Sequence, residues 1–272
     1  MDFKEDQQMA DAVAMVRTFF RMPFAHFFIG NDEAKKIEKY LYDPEDPCVM
    51  EKAIYVPARR DTFLDIIEEY KPKQAIDIAS GYSELGLRLW KDYGLQVTET
   101  IKEREVLELK QKALQKARRK LKTGFVEKHE LVLLSIDDPD FRKKLKSVVD
   151  TDKRTVVITE GIQSYLPKRI YRELVSNIAK IFSECMYITI APHHSLNYTK
   201  RQKEIIIEGS GLKRFKYYSK EEMFDILRNV GFNSVGRVNF KLRNETIGDL
   251  TKRGIETIIN QKNYGIYFGE IH

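Results

Sequence analysis

The sequence predicts an α/β chain whose sheet is mostly parallel, doubly wound, and covered by helices on both faces. Three observations predict it. From residue 74 onward, short β-branched apolar runs alternate with helical segments, the order that builds parallel strands joined by crossover helices. The first run ends in an acid and a small-residue turn, Asp77-Ile78-Ala79-Ser80-Gly81-Tyr82-Ser83, as a strand does at the ligand edge of such a sheet. The chain's 272 residues, 42% of them apolar, suffice for one substantial core with an attached subdomain.

Each element has its own local reason. From Met9 to about Tyr40 the spacing is helical and rich in aromatics (Phe19, Phe20, Phe24, Phe27, Phe28), and Asp43-Pro44-Glu45-Asp46-Pro47 then imposes turns. Residues 1–55 are expected as a helical N-terminal extension, ahead of a body spanning 56–272. A helix from Arg59 to Tyr70 stops at Lys71-Pro72, because the residue before proline is pushed out of helical geometry. Strands are expected over Gln74 to Ala79, Leu95 to Thr100, Glu130 to Ile136, Thr155 to Thr159 and Met186 to Ile190. Helices are expected over Leu85 to Tyr93, Val106 to Leu121, Asp140 to Val149 and Lys168 to Phe182. Ser219 and Glu222 match a capping box that opens a helix running to Asn229, with Gly231 ending it. Two late strands follow, one through Asn239 and one from Tyr264 to Ile271.

Composition narrows the function classes. Asp2, Glu5 and Asp6 interrupt the first twenty residues, which contain no continuous apolar stretch, so neither a signal peptide nor a membrane span is expected and the location is read as cytoplasmic. Cys48 and Cys185 lie far apart without His or Cys neighbours at ligand spacing, so no disulfide framework and no metal site are expected. The net charge of +6 is concentrated in Lys110, Lys112, Lys116, Arg118, Arg119, Lys120 and Lys122. Val106, Leu109, Ala113, Ala117 and Leu121 recur at helical spacing through that run, which reads as an amphipathic surface helix with a basic polar side. The alternative is an electrostatic footprint for RNA.

Four places carry candidate chemistry. The turn after Asp77 lets a ligand approach the backbone, although Ala79 replaces the first glycine of a dinucleotide fingerprint and no third glycine follows at the right spacing. Glu99 ends the second strand about twenty residues further on, where an acid accepts from ribose hydroxyls. Glu160 directly follows a buried strand, a costly place for a carboxylate unless a cation or donor pairs with it. His193 and His194 follow the fifth strand, near the edge where a substrate enters; they suit proton transfer, and equally suit an ordinary exposed loop.

Glu160, Gly161, Tyr165, Leu166 and Pro167 form Glu-Gly-x-x-x-Tyr-Leu-Pro, which resembles the signature of the leucine carboxyl methyltransferase and polyketide O-methyltransferase family. Arg60 with Asp65, Gly81 with Arg88-Leu89, and Glu99 agree with that family in order and spacing, so the resemblance runs from about Ile54 to Pro167. It implies a class I, Rossmann-like methyltransferase using S-adenosylmethionine and releasing S-adenosylhomocysteine. It further implies that Arg60 binds the methionine carboxylate, a role that neighbouring Arg59 could equally fill, that Asp77, Ala79 and Gly81 line the amino-acid end, and that Glu99 holds the ribose. Glu160 and Gly161 are implied beside the sulfonium, with Glu160, Tyr165 and His193 as the candidate catalytic groups. At the end of the third strand Ser135 stands where the family often places an Asp, with Asp137 and Asp138 close behind, and Ser135 and Ile136 are counted with the cofactor-binding residues. The family's second acid on the second strand is also missing, two residues beyond Glu99. The N-terminal segment, with Arg17, Arg21 and His26, is implied as a lid over the acceptor, while its phenylalanines also suit a helix core.

Methyl transfer from a sulfonium is an in-line displacement, so alignment and water exclusion dominate. A carboxylate acceptor is already ionised and needs no base, whereas a phenol or alcohol needs one. The expected partner is a small-molecule or protein-carboxylate acceptor. The alternatives are RNA methylation through the helix at 110–122 and an inactive scaffold that keeps the fold.

Overall fold

The strands are β1 (Gln74–Ile78), β2 (Gln96–Ile101), β3 (His129–Leu133), β4 (Thr155–Thr159), β5 (Cys185–Pro192), β6 (Ser234–Val238) and β7 (Tyr264–Ile271). They come from a computed structural model that describes residues 13–29, 50, 53–121, 128–192, 216–257, 259 and 264–272. The helices are α1 (Tyr55–Tyr70), α2 (Leu85–Tyr93), α3 (Arg104–Leu121), α4 (Phe141–Lys146), α5 (Lys168–Ala179), α6 (Lys220–Asn229) and α7 (Asn244–Lys252). Residues 13–19 are also helical.

One seven-stranded sheet runs β3-β2-β1-β4-β5-β7-β6. Neighbours from β3 to β5 are parallel, and β7 lies antiparallel between β5 and β6. The expected α/β fold with a mostly parallel sheet is therefore the observed one. The chain order reverses between β1 and β4, so the crevice beyond their carboxyl ends is the switch point at which ligands bind in this architecture.

Successive strand residues feed two different cores because side chains alternate across a sheet. Ala75, Val97, Val156, Ile158 and Ile188 pack with Phe63 of α1, Leu89 of α2 and Leu114 of α3. Ile76, Ile78, Val157, Tyr187 and Ala191 pack with Phe141 of α4, Tyr171 of α5 and Leu227 of α6. Helices on both faces explain why β1 and β4 are buried at every position and why their sequences do not alternate. Each fully buried aliphatic side chain contributes about 1.5–3 kcal/mol.

Element ends depart from the sequence reading by a few residues. β1 stops at Ile78 because Ala79 turns into the left-handed region, with φ 56. β3 begins at His129 and ends at Leu133, while α5 ends at Ala179. Helix α1 starts at Tyr55 and takes Pro57 into its first turn, where a missing N–H breaks no helical bond. Ser219 and Glu222 form the expected capping box. Helix α7 was not foreseen: its interior Gly248 and two threonines weaken the signal, and the burial of Leu250 against Phe20, Met22 and Ile255 holds it in place.

The N-terminal aromatics divide. Phe20 and Phe27 are buried, and Phe19, Phe24 and Phe28 pack half-buried on neighbouring clusters, so these rings serve as core. The segment from residue 30 to residue 49, with its turn-rich stretch and Cys48, lies outside the described residues. Among the described residues, no helix is long and apolar enough to cross a membrane.

Candidate active site

Two charged clusters occupy the carboxyl ends of β1, β2 and β4. The first centres on Glu160, which leaves β4 just before Gly161 turns the chain at φ 83, a conformation that glycine adopts without strain. Three arginines converge on its carboxylate. Arg60 Nη2 donates to Oε2 at 2.9 Å, Arg59 Nε stands 2.6 Å from Oε1, and Arg17 Nη2 stands 3.1 Å from Oε1. Arg59 and Arg60 come from α1, and Arg17 from the N-terminal helical segment. Glu84, in the turn before α2, stands 3.3 Å from Arg60 and 3.6 Å from Arg17. The cation partner that the sequence demanded for Glu160 is thus a set of three.

Burial alone raises a carboxyl's pKa, yet Arg17, Arg59 and Arg60 hold Glu160 well below the usual carboxylate range. Three guanidiniums gather here with Glu84, Glu160 and the nearby Asp77 carboxyl. Arg60 is 1% exposed, and its Nε and Nη1 have no hydrogen-bond partner. Asp77, also 1% exposed at the end of β1, has an unpartnered Oδ2. Buried polar atoms are rarely left unpaired. Orphaned donors beside an orphaned carboxylate oxygen fit a ligand carrying a carboxylate and an ammonium together, which is the amino-acid end of S-adenosylmethionine. Burial, with Glu99 and Glu160 nearby, pushes Asp77 up to about 7 against the opposing pull of Lys110 and Arg60.

The second cluster surrounds Glu99 on β2. His129 Nε2 stands 2.7 Å from Oε1, Lys110 Nζ donates to Oε2, and all three side chains are fully buried. Lys110 also donates to Ser80 Oγ at 2.9 Å, which ties the nucleotide turn to β2. Burial opposes ionisation, but Lys110 and His129 hold Glu99 down to about 2. Gly86 in the first turn of α2 lies so close that an added methyl group would overlap the Glu99 carboxylate.

A family model described as leucine carboxyl methyltransferase matches residues 7–179, a span that contains both clusters. The chain belongs to the leucine carboxyl methyltransferase family. This methyltransferase takes its methyl group from S-adenosylmethionine. Solved structures with the same fold include the methyltransferase domain of bacterial CtHen1-CN. It is 13% identical with a TM-score of 0.54, and the match covers 79% of this chain and 98% of that one. Magnesium protoporphyrin IX methyltransferase from Synechocystis PCC 6803, solved with bound S-adenosylhomocysteine, is 12% identical with a TM-score of 0.53, covering 88% of this chain and 100% of that one. No match was found among curated proteins.

The methyltransferase brings some of the expected site residues together and leaves others apart. Arg60, Asp77 and Glu160 meet at the switch point, and Gly81, at φ 49, sits in the turn beside them. Ala79 occupies a left-handed conformation that costs a non-glycine residue about 1 kcal/mol or more. Its N–H donates to Thr100 Oγ1 at 3.0 Å, which helps to hold it there. Tyr165 is half-buried, and burial pushes its phenol up to about 12, with Arg59 opposing. Ser135 donates to Asp137, and Ile136 packs against the α4 to α6 core; neither belongs to the two charged clusters. His193 and His194 lie outside the described residues, as does Lys122.

Lys110 is not part of a basic surface face. It follows Val106 by four residues and precedes Leu114 by four, so it lies in the buried stripe of α3, while Leu109 is 46% exposed. That spacing was readable, and the charge of Lys110 masked it. His129 and Glu84 were also missed. Glu84 sits between a small-residue turn and a helix, where a surface acid reads equally well.

An open hollow lined by Gln96, Lys128, Asp150 and Thr151 lies at the opposite, amino-terminal edge of the strands and is not part of the site.

Proposed function

We propose that this protein methylates an oxygen of its acceptor, most simply a carboxylate on a small molecule or at a protein C-terminus. The observation that carries the reading is the gathering of three guanidiniums at the switch point, which suits an anionic partner on the acceptor side as well as the cofactor's carboxylate. A carboxylate acceptor also needs no proton removed, whereas a hydroxyl acceptor would require a base such as His193.

S-adenosylmethionine supplies an electrophilic methyl group when bound. Arg60 would hold the methionine carboxylate through one of its unpartnered donors, Nε or Nη1, and Asp77 would take the ammonium. Glu160 keeps the three arginines in one geometry, with Gly161 providing the turn that places it. The phenol of Tyr165 stays protonated at neutral pH and orients the acceptor as a hydrogen-bond donor. The N-terminal helical segment that carries Arg17 would act as a lid that excludes water, with Arg17 as the latch to Glu84 and Glu160. The RNA alternative loses Lys110 from its footprint, since that charge is spent inside the fold.

The test is transfer of labelled methyl to a panel of carboxylate, phenol and alcohol acceptors, followed by mild base. A base-labile product is a methyl ester and supports the carboxylate reading. Base-stable label on hydroxyl acceptors alone would replace it with hydroxyl methylation.

Asp77 gives the site a pH dependence. Its folded pKa lies above the ordinary 3.8, so the neutral form is favoured without ligand, and that contribution to stability is lost as pH rises through about 7. Ligand ammonium prefers the ionised form, so affinity for S-adenosylhomocysteine is expected to rise between about pH 6 and 8 by roughly tenfold. Calorimetric titration across that range checks it, and Asp77→Asn should flatten the profile.

A further inference from the structure

We infer that this methyltransferase recognises S-adenosylmethionine through its amino-acid end and does not read the ribose hydroxyls with an acid on β2. Modified riboses are therefore accepted. The inference rests on the cofactor assignment above and concerns how that one site divides its recognition.

Glu99 is the only acid on β2, and none of its surface is exposed. One oxygen faces His129 Nε2 and the other faces Lys110 Nζ, while Gly86 closes against the carboxylate from α2. Turning Glu99 toward a ribose would take from Lys110, which has no exposed surface either, its one direct carboxylate partner and leave it the hydroxyl of Ser80, the ring of Phe28 and the more distant charge of Asp77. A buried ammonium without a direct carboxylate partner costs more than two hydroxyl hydrogen bonds return, so the pair stays closed. Two residues further along β2 stands Ile101, 1% exposed, which offers no hydrogen-bonding atom in its side chain.

The amino-acid end contrasts with this at every point. Arg60 Nε and Nη1 and Asp77 Oδ2 are buried and unpartnered, so a ligand gains bonds there without breaking any. At the ribose end each Glu99 oxygen already has a buried partner, Lys110 or His129, and the carboxylate has no exposed surface, so a ribose hydroxyl would have to displace packing as well as compete for it. Lys110 thereby sets the specificity: by neutralising Glu99 and holding Ser80, it converts the acid of β2 into an internal counter-ion of the nucleotide turn.

The experiment titrates the full chain by calorimetry with S-adenosylhomocysteine, its 2′-deoxy and 3′-deoxy analogues, and 5′-methylthioadenosine, which keeps the adenosine and lacks the amino-acid end. Both deoxy analogues are expected to bind within threefold of the parent, and methylthioadenosine at least 100-fold more weakly. A tenfold or greater loss with either deoxy analogue would overturn the inference while leaving the cofactor assignment intact. Methylthioadenosine binding as tightly as the parent would also overturn it. No binding of S-adenosylhomocysteine at all would overturn the cofactor assignment, and the inference with it.

Discussion

Glu160→Gln is expected to lower the unfolding free energy by about 3–5 kcal/mol, the loss typical of removing one partner from a buried ion cluster. Glutamine keeps the size and one acceptor oxygen, so the change isolates charge from shape. In the native protein the 5% exposed Glu160 carboxylate is shared by Arg17, Arg59 and Arg60. Without it, Arg17 and Arg60 would be left to Glu84 and Arg59 would lose this carboxylate partner. Arg17 is the contact between the N-terminal helical segment and this cluster, so that segment should also become more open to protease. The pH dependence gives a second check. The folded pKa of Glu160 lies below its ordinary value of 4.5, so its contribution is present in full above that pH and is lost as pH falls through the folded value. Wild type and variant should therefore converge in acid. Denaturant unfolding measures both effects, and a difference under about 1 kcal/mol at neutral pH would show the cluster to be solvated rather than buried.

Arg60→Met is expected to weaken S-adenosylhomocysteine binding by at least about 100-fold, or roughly 2.7 kcal/mol, and Arg60→Lys by about 30-fold, or roughly 2 kcal/mol. Lysine keeps the charge but loses the planar guanidinium and its two unpartnered donors, Nε and Nη1. Stability should respond differently. Arg60→Met leaves Glu160 paired with Arg17 and Arg59 and leaves Glu84 paired with Arg17, so its unfolding free energy should move less than that of Glu160→Gln. Calorimetry with the ligand, paired with denaturant unfolding, separates the two. Unchanged affinity in Arg60→Met would remove Arg60 from the cofactor site.

The features legible beforehand were those written in local order. Apolar runs such as Thr155 to Thr159, the stop at Lys71-Pro72 and the capping box at Ser219 depend on neighbours within a few residues, and each forms where expected. Glu160 was recognisable as a site residue because a carboxylate at the end of a buried strand must find a cation. Which cation it finds was not recognisable. Arg17 reaches it across more than 140 residues of chain, and only the packing of the N-terminal segment on α1 and α7 brings them within 3.1 Å.

Glu99 marks the boundary most sharply. By itself the sequence determined that an acid stands near the end of β2, about twenty residues after the nucleotide turn, and that position suggested a ribose ligand. Only the tertiary structure shows which side chains the acid meets. A charge cannot stay buried alone, and α3 turns Lys110 inward while β3 sets His129 alongside, so the partners that neutralise Glu99 come from two other elements. Local spacing determines where an acid emerges from a sheet; long-range packing decides whether it faces a ligand or another part of the protein.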